Sequence, residues 1–219
     1  MAFVQSLPPD YDSPTEPEDD IGPATMSGRV WEAWLDMQAS TRRLVSENPS
    51  EGRLLFYLIL SDLVFFLSWT IKGVLAPTSA AAAVMPIQMG GILLVGFLIR
   101  TAAMYVLAAA AFAACRIAGG RGSWRDTRAA VFWGALVSAP FGLLAALVAV
   151  AMRHGEHIWP AIAEPVYAMP PYYIGLVPFL WFIAAGLAAV HGMRRVGWIF
   201  LILSTGTVVL SILGVYLSA

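Results

Sequence analysis

Two ionisable residues lie deep inside long apolar stretches of this sequence. Asp62 is near the middle of the first stretch, and Arg100 lies within the second. A charged side chain at this depth in a bilayer is costly unless it is paired or hydrated. At about 1.5 Å of rise per helical residue, Asp62 lies ~15 Å from Lys72, and Arg100 lies ~18 Å from a helix start near Gln88. Antiparallel neighbours would place the two charges at similar depths, so we expect an intramembrane ion pair between Asp62 and Arg100.

Such a pair has two interpretations. As a structural clamp, it would fix which helices associate. As a relay for protons or anions, it would serve a small transporter or channel. No third ionisable residue joins the two inside the apolar stretches, so we favour the clamp and keep the transporter as the alternative.

A short polar run after the third apolar stretch contains His154, Glu156 and His157, and Glu164 follows. Imidazole and carboxylate groups are zinc ligands. Metal sites have better-defined ligand spacing than this run, and a polar loop without metal has the same composition. We therefore expect no bound metal.

The glycines Gly119, Gly120 and Gly122 surround Arg121 in a short loop. The lysine–hydroxyl pair that closes a phosphate-binding loop is absent after them. The sequence also contains no nucleophile elbow and no paired carboxylates within an apolar stretch. It therefore predicts neither a catalytic centre nor a cofactor, and we do not expect an enzyme.

The composition is typical of a membrane protein. Apolar residues make up 59% of the 219 and charged residues 12%, against about half and a quarter in soluble domains. The net charge of −1 provides no positive field for nucleic acid. The single cysteine, Cys115, excludes an intramolecular disulfide framework.

Five stretches are long and apolar enough to cross a bilayer, which takes about 20 residues each. They run over about 52–71, 89–118, 128–151, 172–190 and 197–217. The expected fold is therefore an all-α integral membrane domain with five transmembrane helices.

The cations predict the orientation. With a cytosolic N-terminus, that side carries ten arginines, and the opposite side carries only Lys72 and Arg153. An excess of cations marks the cytoplasmic side, so we expect a cytoplasmic N-terminus in a bacterial inner membrane. The ten are Arg29, Arg42, Arg43, Arg53, Arg116, Arg121, Arg125, Arg128, Arg194 and Arg195.

The region before the first span divides into two parts. Residues 1–27 hold five prolines and six carboxylates, which predicts a disordered acidic tail. In 28–48, apolar residues recur at helical spacing with Trp31 and Trp34 one turn apart, which predicts an amphipathic juxtamembrane helix. It could lie at the headgroup level or pack on the protein's own cytosolic ends. The five-span domain would then occupy 49–219.

Small residues recur every fourth position along the third span, which allows close helix packing in lipid. Pro140 in the same span removes one helical hydrogen bond and predicts a kink. A hinge is one interpretation, and a tight helix contact is the favoured one. The stripe consists of Ala130, Gly134, Ser138, Gly142 and Ala146.

A basic group precedes the third span. Arg121, Arg125 and Arg128 lie beside Trp124. Anionic lipid headgroups attract arginines near the membrane surface, so one interpretation is that this group faces them. The other is that it is only the charge signal that sets the orientation, and the two are compatible.

Three motifs follow one another in the second half of the chain. They are the glycine–basic–glycine turn ending in Ser123-Trp124-Arg125, the following helix with Ser138-Ala139-Pro140, and the link 190–195, Val-His-Gly-Met-Arg-Arg. Their order resembles the Yip domain family, the Ypt/Rab-interacting membrane proteins and their bacterial relatives. The chain lacks the Tyr-Gly-Pro run of eukaryotic members, so the likeness is to the bacterial type. The resemblance implies a five-span helical domain with a cytosolic N-terminus.

We therefore expect a non-enzymatic membrane scaffold or adaptor that organises other membrane components. Its contact surfaces would be the acidic tail, the helix over 28–48 and the turn over 119–128. The expected partners are the bilayer and other membrane proteins, with no nucleic acid.

Overall fold

The computed structural model describes residues 25–76, 86–163 and 170–218, so the predicted acidic tail lies almost entirely outside the described residues. The described residues form α-helices and one short 3₁₀ helix, with no strand among them. In chain order the α-helices are α1 (Met26–Leu35), α2 (Met37–Ser46), α3 (Glu51–Leu75), α4 (Pro86–Ile117), α5 (Trp124–Gly155), α6 (Pro170–His191) and α7 (Val196–Ser218).

Helices α3 to α7 are each long and apolar enough to cross a membrane. The chain is therefore an all-helical integral membrane protein, and the predicted five-span fold class is confirmed. The third span begins four residues before its predicted start at 128 because Ser123 and Asp126 form a reciprocal capping box.

The packed core lies where α5 runs between α3 and α6. Residues 129–138 of α5 are all buried, and the ring of Trp133 packs 5.2 Å from that of Tyr57 on α3. Helices α4 and α7 are peripheral: 11% and 6% of their apolar windows are buried within the chain, against 44% for α6. Because lipid tails are as apolar as these side chains, contact of α4 and α7 with the bilayer costs little free energy.

The segment predicted as one amphipathic helix over 28–48 is instead a hairpin of two helices, α1 and α2. Asp36 between them has an extended backbone (φ −143°, ψ 90°), and its side chain accepts from the N–H of Ala39 at 2.9 Å. An aspartate in this position starts a new helix because it satisfies a free backbone donor. An ion pair between Arg43 and Glu32 at 2.8 Å ties the two helices together.

The hairpin lies along the bundle and contacts α5 well inside that helix. Trp34 Nε1 donates to the carbonyl of Val137 at 2.9 Å, and Trp133 Nε1 donates to Ser40 Oγ at 3.1 Å. Val137 is 13 residues into α5, so the contact is about 20 Å along that helix from its start. Trp31, one turn before Trp34 on α1, is 61% exposed, and the centroids of the two rings lie 5.6 Å apart.

Part of the small-residue stripe on α5 faces α6. A Cβ on Gly134 would lie 3.0 Å from the backbone nitrogen of Ile183, and a Cβ on Gly186 of α6 would lie 3.3 Å from the Cβ of Ala130. The two backbones approach closely at these glycines, as small residues allow between membrane helices.

Farther along the stripe, Ser138, Gly142 and Ala146 line a cavity. A Cβ on Gly142 would meet nothing within 4 Å. Helix α5 remains one continuous α-helix through Pro140.

Candidate functional site

The glycine turn that precedes α5 packs against the link between α6 and α7. The N–H of Gly122 donates to Nδ1 of His191 at 3.2 Å, and the N–H of Arg121 donates to the carbonyl of His191 at 3.3 Å. On the other side of the imidazole, Nε2 lies 3.0 Å from Oγ1 of Thr127. His191 therefore joins the turn, α5 and the end of α6.

These contacts indicate which ring nitrogen of His191 carries the proton. Because Nδ1 accepts a hydrogen bond from a backbone N–H, the proton of the neutral ring lies on Nε2 and is donated to Thr127. The hydroxyl of Thr127 in turn donates to the carbonyl of Ser123 at 2.8 Å. Neither His191 nor Thr127 was predicted as a site residue from the sequence.

The glycines of the turn provide the space that His191 occupies. A Cβ on Gly120 would lie 2.7 Å from His191 Nδ1, and one on Gly122 would lie 2.8 Å from the carbonyl oxygen of Val190. Gly119 has φ +85°, a conformation that favours glycine. The turn is thus a docking surface for a side chain and a carbonyl of the same protein.

Two of the three basic residues near Trp124 have partners within the chain. Arg125 contacts the side chain of Asn48 and the carbonyl of Pro49, between α2 and α3. Arg128 makes a bidentate pair with Glu51 at 2.7 and 2.8 Å. These two arginines therefore tie α5 to the start of α3. The expected contact of Arg121, Arg125 and Arg128 with anionic headgroups stays a prediction.

Five other arginines at the same end have no carboxylate partner in the described part of the chain. We call the end that displays them the arginine-rich end. They are Arg42, Arg116, Arg121, Arg194 and Arg195.

Glu47, in the loop between α2 and α3, lies between two arginines. Arg53 Nη2 is 2.6 Å from Glu47 Oε2, and Arg29 contacts Oε1. Burial alone raises the pKa of this carboxyl, but the hydrogen bonds from both arginines outweigh burial and hold the pKa below its ordinary value.

Within the bundle, Asp62 and Arg100 contact each other through Oδ1 and Nη1. The Asp62 side chain is fully buried, and its Oδ2 accepts from Thr101 Oγ1 at 2.7 Å. The guanidinium of Arg100 also lies 4.5 Å from the centroid of the Phe65 ring. Neither Thr101 nor Phe65 was predicted as a site residue, although the hydroxyl next to Arg100 in the sequence was an available signal.

A cavity of about 1090 Å³ opens beside this pair, between α3, α4, α5 and α6. Arg100 and Ser61 lie on its wall, and Lys72, Glu156 and Tyr172 line it at the end opposite the arginine-rich end. Towards the arginine-rich end, the packed core around Trp133 fills the bundle. Over the described residues, the cavity thus extends to the end opposite the arginine-rich end, and the packed core separates it from the arginine-rich end.

The polar run after α5 makes short-range contacts. Arg153 pairs with Glu156 at 2.5 Å, and His154 Nδ1 lies 2.9 Å from the carbonyl of Val150. No three histidine, cysteine or acidic side chains within the described ranges are grouped closely enough to hold a metal ion. Glu164 lies outside those ranges.

The model of the Yip1 domain matches residues 31–216. The chain belongs to the Yip1 domain family. No curated protein and no solved structure matches it. The matched range begins within α1 and ends within α7, so the Yip1 domain includes most of the hairpin together with the five spans. The docked glycine turn and its histidine lie inside this domain.

Proposed function

We propose that this Yip1-domain protein is a non-enzymatic membrane scaffold or adaptor that recruits or positions other membrane components. The observation that carries the proposal is the arginine-rich end, where five arginines extend without a carboxylate partner in the described chain. They surround a turn that His191 holds in place. A fixed array of like charges attracts partners of opposite charge and rejects others.

The hairpin supplies apolar contact area beside this charge. Trp31 and Leu35 are 61% and 76% exposed on α1. Tryptophan is enriched among the residues that contribute most to protein interfaces. The hairpin and the turn over 119–128 are therefore the proposed contact surfaces, with the acidic tail as a third.

The proposed orientation places the arginine-rich end in the cytoplasm of a bacterial cell. Arg121 and His157 flank α5 at its two ends, and His157 is exposed. In a Cys115→Ala background, a membrane-impermeant thiol reagent added to whole cells should label His157→Cys and not Arg121→Cys. Labelling of both variants from outside would contradict this orientation.

The scaffold role is tested by mild-detergent purification of the full chain with quantitative mass spectrometry of co-purifying proteins. We expect a stoichiometric membrane partner that is lost in Arg42→Glu/Arg121→Glu, because charge reversal repels the partner. Lys72→Glu, at the opposite end, is the control and should keep the partner. Absence of any stoichiometric partner, or equal loss in the control, would contradict the proposal.

A second candidate is a small transporter or channel, which the cavity beside Asp62 and Arg100 favours. Proton flux into liposomes with an enclosed pH-sensitive dye distinguishes it. A relay predicts flux above that of empty liposomes, abolished by Asp62→Asn. If the protein is a scaffold, liposomes with the wild type and liposomes with Asp62→Asn should both show the same flux as empty liposomes.

A further inference from the structure

A groove between α4 and α7 opens at the arginine-rich end of the bundle. Its volume is about 390 Å³, and Leu187 of α6 lies among its lining residues. Four small side chains at helical spacing line it, three from α4 and one from the residue that follows α4, and Trp198 and Ile202 line it from α7. The four are Ala111, Ala114, Cys115 and Ala118.

The small side chains leave room for the groove. Positions 111, 114 and 115 share one face of α4, and position 118, whose N–H donates to the carbonyl of Ala114 at 3.0 Å, continues that face, because i, i+3, i+4 and i+7 coincide on a helix. Alanine and cysteine there leave the space next to α7 open. The interior of the groove is mostly apolar, so hydrocarbon suits it better than a polar solute.

Arg194 and Arg195 line the same groove. Both are exposed, and neither pairs with a carboxylate of the described chain. Their position is set by the end of α6, where Gly192 takes φ +68° and the N–H of Met193 donates back to the carbonyl of Ala188 at 2.9 Å. The turn at the end of α6 therefore sets where Arg194 and Arg195 lie relative to the groove.

Two further features favour an anionic group here. The first turn of α7 contains no acidic residue, and its backbone N–H groups carry the positive end of the helix dipole. Trp198 is 60% exposed beside the arginines, and tryptophan is typical of the headgroup level of a bilayer. The two arginines, the start of α7 and the indole of Trp198 thus lie together at an apolar groove.

We propose that this groove binds an anionic phospholipid, with the phosphate on Arg194 and Arg195 and one acyl chain along the alanine face of α4. Headgroups were also expected at Arg121, Arg125 and Arg128, but Arg125 and Arg128 contact groups of the protein itself. A membrane helix of a partner, about 10–12 Å across with its side chains, is too wide for a groove of this volume.

Native mass spectrometry of the full chain, purified in mild detergent and supplied with phosphatidylglycerol or phosphatidylcholine, tests the proposal. We expect one retained phosphatidylglycerol and no comparable retention of phosphatidylcholine. In Arg194→Ala/Arg195→Ala, binding should weaken by about thirtyfold, because two arginines near the surface no longer attract the phosphate. Arg42→Ala/Arg121→Ala removes the same charge from the same end and should retain the lipid.

A second variant separates the groove from general charge attraction. Ala114 is exposed on the groove wall, so Ala114→Phe should block the acyl chain while leaving both arginines in place. We expect it to lose the lipid and to keep the wild-type melting temperature. Undiminished binding in Ala114→Phe, equal binding of the two lipids, or equal loss in the Arg42/Arg121 control would overturn the proposal. A co-purifying second protein chain displaced by neither lipid would also overturn it, since the groove would then hold a partner.

Discussion

The backbone N–H of Gly122 donates to Nδ1 of His191, although the two residues are 69 positions apart in the chain. This bond joins the loop between α4 and α5 to the end of α6. The space for it exists because residues 120 and 122 have no side chain. Glycine therefore serves a packing function at this turn, and the framework of the arginine-rich end depends on it.

Substitution of these glycines should destabilise the protein. Gly120→Ala would place a Cβ 2.7 Å from His191 Nδ1 and 2.8 Å from the carbonyl of Cys115, so we expect a loss of about 1–3 kcal/mol of unfolding free energy. Gly206→Ala is the matched control, because nothing lies within 4 Å of its Cβ and alanine favours a helix. Thermal unfolding in detergent measures both. Equal melting temperatures for the two variants would contradict this prediction, because the turn would then accommodate a Cβ at position 120 without loss of stability.

The Asp62–Arg100 contact predicts a thermodynamic coupling. Asp62→Asn or Arg100→Gln leaves one buried charge without its partner, which costs about 3–5 kcal/mol. The exchange Asp62→Arg/Arg100→Asp should recover part of that loss. Unfolding in mixed micelles with increasing SDS gives the free energies. If the exchanged protein is no more stable than the single variants, the pair is not a clamp.

Two glycines of the small-residue stripe on α5, Gly134 and Gly142, provide a test of helix packing and its control. Gly134→Ala would bring a Cβ to 3.0 Å from the backbone of Ile183, so α5 and α6 must separate, at a cost of about 1–3 kcal/mol. Gly142→Ala adds the same methyl group eight residues away, where nothing lies within 4 Å. It should be neutral or slightly stabilising in the same unfolding measurement. A greater loss at 142 than at 134 would contradict the helix contact described above.

The five spans could be predicted closely because apolar length is a local property. The fourth was predicted over 172–190, and the candidate span is Pro171–His191. Asp62 and Arg100 were expected at matching depths from helical rise alone, and they are in contact. Both inferences rest on the chemistry of the bilayer, which constrains every residue in it.

The hairpin and the histidine turn were harder to predict. Asp36 continues the polar face of an apparently regular helical pattern, but its carboxylate caps a new helix, and periodicity does not distinguish these two roles. The contact between Gly122 and His191 is long-range, so no local pattern indicates it. Three glycines within four residues were a signal for close approach, without showing what approaches.

Stability should depend on pH through Glu47. Its pKa is lower in the folded protein than in the unfolded chain, so the stabilisation is fully present above the unfolded pKa and is lost as the pH falls through the folded pKa. The loop is partly exposed, so the effect should stay below about 1 kcal/mol. We expect Glu47→Gln to melt lower than the wild type at pH 6, with the difference shrinking as the pH falls below 4.5. A constant difference across that range would exclude the carboxylate as its cause.

The central claim is that the arginine-rich end and its hairpin are the surface through which this Yip1-domain protein contacts other membrane components. Site-specific photo-crosslinking in intact cells tests it most directly. A photoactivatable amino acid replaces Trp31, 61% exposed on the hairpin, or Ile158, 79% exposed at the opposite end. The proposal predicts a discrete protein adduct from position 31 and none from position 158. Adducts from position 158 alone, or from neither position, would contradict it.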